Sequence, residues 1–150
     1  MLRYQEDNEL HRDFHGGTDT AIRYISGKYG VEALKGILRK TGREVYKSIH
    51  DKLAKGNASE LIEHLNWFMY REGAEYSLTV KNGEIRLEVF DCPAYRHLTQ
   101  KLHRQPSEHF CLQTSEVNAG MCEGTPWEST VECLGNGHCI QIFRKKEQQK

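Results

Sequence analysis

The sequence predicts an α+β domain in which N-terminal helices and two further helices pack on one face of an antiparallel sheet built from two hairpins. Three observations carry this. Apolar residues in the first half recur at helical steps, the period changes to two on either side of Asn82-Gly83, and a second alternating stretch turns through Gly135-Asn136-Gly137. With 150 residues, a single domain over 1–150 can bury a core without covalent staples.

Val31, Leu34, Leu38, Val45, Ile49 and Leu53 recur mostly at three-, four- and seven-residue steps, an amphipathic helical stripe. Gly36 and Gly42 interrupt it and predict a kink or a close approach. Asn57-Ala58-Ser59-Glu60 has the form of a capping box and starts the next helix. Leu61, Leu65, Phe68 and Met69 are its buried face, and Gly73 ends it. Tyr76, Leu78 and Val80 then alternate with polar residues, as do Ile85, Leu87 and Val89 beyond Asn82-Gly83. A two-residue loop there pairs Val80 with Ile85, Leu78 with Leu87 and Tyr76 with Val89.

Pro93 opens a short helix through Leu102, and Ser107 caps a longer one over 107–123. Phe110, Thr114, Val117 and Met121 form one stripe of that helix; Cys111, Ser115, Asn118 and Cys122 form its neighbour, so a wide arc is buried. Strands 127–133 and 138–143 make the second hairpin. An even-numbered loop places Cys133 on one face with Val131, His138, Ile140 and Ile142, whereas a bulge reverses that parity. The tail 145–150 is charged and expected to fray.

Twenty-one basic residues balance twenty-one acidic ones, which argues against a nucleic-acid partner. No run of eighteen apolar residues suits a membrane span, and the first residues have no apolar signal core. A cytoplasmic protein with five reduced thiols is the expectation, an odd cysteine count pointing the same way.

Several constellations could carry chemistry. His11 and His15 stand four apart, on one face if the segment is helical, a spacing that suits a metal or a base. Asn118 lies between Cys111 and Cys122 on a helix too apolar to be exposed. The two thiols can pack there as small hydrophobes, but a buried amide needs partners, in the protein or in a ligand. Cys133, His138 and Cys139 are soft ligands within seven residues, so zinc is a candidate cofactor, although no CxxC occurs and the packing of a hairpin is the simpler account of them. Cys92, before Pro93, either fills a corner or is a nucleophile with its pKa lowered by a helix N-terminus.

The stretches His11-Arg12-Asp13-Phe14-His15, Asp91-Cys92-Pro93-Ala94-Tyr95-Arg96-His97-Leu98, Phe110-Cys111 with Val117-Asn118, and the turn from Gly135 to Cys139 leading into Phe143 resemble the L-2-amino-thiazoline-4-carboxylic acid hydrolase family. Its fold is of the vinyl-4-reductase type, shared with haem-NO sensors and vesicle-tethering subunits. The resemblance implies a hydrolase that adds water to a cyclic amidine carbon and expels a thiolate. Such a reaction needs a base, a group for the leaving sulfur and a cation for the carboxylate. His11 or His15 could be the base, oriented by Asp13 or Asp19. Cys92 or Cys111 could be a nucleophile, and Arg96 or His97 could meet the carboxylate, with Asn118 and Cys122 touching the ligand. The alternative is a non-catalytic module that binds a small molecule or a metal. A third class, an assembly subunit forming homodimers through its helices, is also open.

Overall fold

The computed structural model describes residues 13–147. In chain order these form α1 (Asp13–Tyr29), α2 (Val31–Glu44), α3 (Lys47–Ala54), α4 (Ser59–Arg71), β1 (Glu75–Lys81), β2 (Glu84–Asp91), α5 (Pro93–Arg96), α6 (Leu112–Cys122), β3 (Trp127–Gly135) and β4 (His138–Lys145). One π-helical turn, His97–Lys101, continues α5. The strands make one antiparallel sheet in the order β1-β2-β4-β3, with helices packed on one face. The α+β prediction is borne out.

Both hairpins follow from their turns. Asn82 and Gly83 both take positive φ, as do Asn136 and Gly137, so each pair forms the turn whose twist matches the strands it joins. The expected pairs Val80–Ile85, Leu78–Leu87 and Tyr76–Val89 are all present. In the second hairpin the register shifts between Cys133 and Gly135, the bulge that reverses parity. Cys133 therefore pairs with Cys139, and Val131 with Gln141. Gln141 and Phe143 face the helices and are buried. The even-loop alternative, with His138, Ile140 and Ile142 on the inner face, is corrected by that one extra residue.

The long stripe in the first half is two helices rather than one. The chain turns after α2, the Tyr46 N–H bonding back to the Thr41 carbonyl, so the helical phase restarts. Leu34, Ile49 and Leu53 are buried as expected, whereas Val45, at the turn, is 73% exposed. Asn57 closes the turn just before α4, its Oδ1 accepting the Ser59 N–H at 2.9 Å, while Ala58 holds the N-cap position without a side-chain bond. Glu60 does not complete the box; it binds Ser48 and Lys52 instead. Ser107 starts a turn, with its Oγ accepting the His109 N–H at 3.2 Å, and α6 begins only at Leu112.

The most demanding contact in the fold is the crossing of α2 and α6. A Cβ added to Gly42 would lie 2.2 Å from the Val117 carbonyl oxygen, and one added to Gly120 would lie 2.2 Å from that of Arg39. Backbone meets backbone here, so Gly42 marks close packing; Gly36 faces open space. Around this crossing the core divides. One cluster joins Ile49, Leu53, Leu61, Leu65 and Met121 to the sheet residues Ile85, Leu87, Val89 and Phe143. The other joins Ile22, Leu34, Ala94, Leu98 and Phe110, and Cys92 packs against both.

Candidate functional site

Where the two clusters meet, a cavity of about 360 Å³ remains between helices and sheet. Its walls are mainly apolar: Leu38, Leu65, Phe68, Met69, Val89, Val117 and Met121 among others. The close crossing sinks α6 deep enough for Asn118 to line this cavity while only 5% exposed. The Asn118 Nδ2 donates to the Gln141 Oε1 at 2.8 Å. Gln141 also lines the cavity, is 4% exposed, and sends its amide toward the Cys139 sulfur at 3.9 Å. Asn118 is thus partnered by a side chain inside a cavity, not by backbone. The Asn118–Gln141 pair leaves hydrogen-bonding capacity unused on both amides, since each carries two donors and a carbonyl acceptor.

A second polar pair lines the same cavity. His15 Nε2 lies 3.2 Å from Glu72 Oε2, and the side chains are 16% and 8% exposed. His15 also packs near His97, ring centroids 5.8 Å apart. The partner carboxylate is Glu72, past the end of α4, rather than Asp19. Asp19 is fully buried elsewhere, held by Arg23, Arg104 and the Ser107 N–H. His11 lies outside the described residues, and so does the side chain of Asp13.

Tyr46 and His64 line both this cavity and a surface groove that includes Val45 and Trp67. Their rings meet edge-on with centroids 5.2 Å apart, so the pair stands between groove and interior. Burial pushes the His64 imidazole below its ordinary range and so favours the neutral ring.

A second cavity, of about 400 Å³, shares Cys92, Gln113, Thr114 and Cys139 with the first. Cys111 and Cys133 complete a lining with four thiols. All five cysteines are free. Burial first, and then the hydrogen bond to Cys133, push Cys111 up to about 12. Burial lifts Cys139 to about 11 and also raises Cys92. The expected lowering at Cys92 is therefore overturned. Backbone N–H groups of Ala94 and Tyr95 do favour its thiolate, but the loss of solvent outweighs them.

Other expectations fall away from the first cavity. Cys122 is buried in the core with its thiol raised to about 11, chiefly by burial, and does not line either cavity. Cys111 precedes α6 and lines only the second cavity. Arg96 binds Asp91 and the Gly73 carbonyl, away from the cavity. His138 also borders the second cavity, but its Nε2 lies 3.0 Å from Glu88 and its ring packs near Phe90. Cys133, His138 and Cys139 consequently do not converge. Among the described residues, no three His, Cys, Asp or Glu side chains are placed to hold a metal ion, so the geometry does not support the zinc expectation. No helix of the described residues is long and apolar enough to cross a membrane.

No pattern in the sequence marks Glu72, Tyr46 or His64 as lining residues. For Gln141 a signal existed, a lone amide in the apolar strand Cys139-Ile140-Gln141-Ile142-Phe143, once the bulge is allowed for. No protein-family model matches the chain, and no curated protein or solved structure matches it at a significant level.

Proposed function

We propose that this chain is a small-molecule-binding domain that encloses a compact, neutral, mainly apolar ligand bearing one hydrogen-bonding group. The observation that carries this reading is the first cavity, with the Asn118–Gln141 amide pair inside it. Its volume of about 360 Å³ lies within the range of roughly 300–1,000 Å³ usual for ligand pockets. Apolar walls supply affinity, and the two amides would orient the ligand by accepting from it or donating to it. Among the described lining residues there is no Arg or Lys, which favours a neutral ligand over a carboxylate.

The test is a fragment titration followed by amide NMR, with benzamide and benzyl alcohol as first probes. Shifts should be confined to residues around Leu65, Val89, Val117 and Asn118. Thr114→Phe, which fills space in the wall shared by both cavities, should abolish these shifts without loss of the folded spectrum. Asn118→Leu should weaken benzamide about tenfold, the effect of losing one hydrogen bond worth roughly 1.4 kcal/mol, and should leave toluene binding unchanged. Shifts scattered over the surface, or unaltered binding by Thr114→Phe, would remove the proposal.

The His15–Glu72 pair favours a second reading, hydrolysis. A carboxylate-held imidazole on a cavity wall has the geometry of a general base. Direct attack of water activated by His15 then replaces a cysteine nucleophile, because the nearby thiols are protonated. Incubation with 2-amino-thiazoline-4-carboxylate should release N-carbamoyl-cysteine in wild type and not in His15→Ala. No product from wild type would leave the binding reading alone.

A further inference from the structure

We propose that Cys111 and Cys133 are a redox-responsive pair that closes into a reversible disulfide across the mouth of the second cavity. The inference stands on the placement of these thiols and is independent of what the first cavity binds. Cys111 ends the turn that leads into α6, and Cys133 lies on the edge strand β3, beside the register shift of the second hairpin. The two belong to different layers of the fold, yet line one cavity, and of the thiols around it Cys133 is the one that acts most strongly on the Cys111 sulfur. Both residues are exposed, so a small oxidant can reach them. The other three are less open: Cys92 and Cys139 are half-buried, and Cys122 is buried in the core. At the bulge, the backbone beside Cys133 is not held by a regular ladder and can adjust to disulfide geometry.

The oxidant is a hydroperoxide. The Cys133 sulfur attacks the peroxide oxygen, the O–O bond breaks, and Cys133 becomes a sulfenic acid as the peroxide leaves as water or an alcohol. The Cys111 sulfur then attacks the sulfenyl sulfur. An S–S bond forms, the S–O bond breaks, and hydroxide departs with the Cys111 proton as water. Two electrons pass from the thiols to the peroxide. The resulting bond ties the start of α6 to the second hairpin, and so narrows the opening between them.

The test uses the whole chain treated with hydrogen peroxide, then unfolded and alkylated without reductant. The untreated protein should take up five alkyl groups, one for each of its cysteines. After peroxide, two of these should be lost, dithiothreitol should restore them, and peptide mapping should join the Cys111 and Cys133 peptides. Cys111→Ser and Cys133→Ser should each prevent any intramolecular bridge, while Cys122→Ser should form it as readily as wild type. Cross-strand bridging of Cys133 to Cys139, full alkylation after peroxide, or a bridge that survives Cys111→Ser would each overturn the proposal.

Discussion

Replacing Gly42 by alanine is expected to destabilise the protein by roughly 2–3 kcal/mol, the upper part of the range for overpacking a tight interior. The new methyl carbon would lie 2.2 Å from the Val117 carbonyl oxygen and 2.8 Å from the Met121 nitrogen. Neither neighbour is a side chain that can swing away, so α2 and α6 must separate. Gly120→Ala should behave alike, its methyl meeting the Arg39 carbonyl at the same distance. Gly36→Ala is the control. Nothing lies within 4 Å of a Cβ there, so the ordinary helical preference for alanine should stabilise by about 0.5–1 kcal/mol. Urea unfolding midpoints of the three variants check this, and equal shifts at Gly36 and Gly42 would refute the close crossing. Because α6 carries Asn118, a separated crossing should also loosen the cavity wall.

Asp19→Ala should cost about 3 kcal/mol, the lower end of what is lost when one partner of a buried ion pair is removed. Asp19 is fully buried, with one carboxylate oxygen 3.0 Å from Arg23 Nε and 2.9 Å from Arg104 Nε. Its other oxygen accepts the Ser107 N–H at 2.7 Å. Removing the carboxylate leaves two guanidinium groups facing each other and frees the segment that carries Gln105, Pro106 and Ser107 along the second cavity. Thermal melting should show the loss, and amide exchange should rise first at 104–110. A variant within 1 kcal/mol of wild type would mean that Asp19 is not the anchor of this segment.

The parts of the fold that the sequence made legible are those with short-range causes. Asn82-Gly83 between alternating strands determined a hairpin and its register. The apolar spacing of Leu61 and Leu65 determined the buried face of α4. Breaks in helical phase were harder to see. Neither the turn at Val45 nor the late start of α6 is marked by helical periodicity, and before α6 the Ser107 N–H is held by Asp19 from 88 positions away. The candidate site was legible only at single residues. Asn118 stood out as an amide on an apolar helix, and His15 as one of two histidines four residues apart.

Their partners were decided by the tertiary structure. One bulged residue beside Cys133 turned Gln141 inward, toward Asn118, and His138 away toward Glu88. The turn after α4 brought Glu72 to His15 across 57 positions of sequence. Burial then reversed the expected acidity of Cys92 by removing solvent from a sulfur that the helix end alone would have activated. Residue types and periods thus determined the elements and the polar groups that needed partners. Which groups met was settled by a single-residue register shift and the close approach of two helices, because side-chain direction alternates with every residue and contact energies act only at short range.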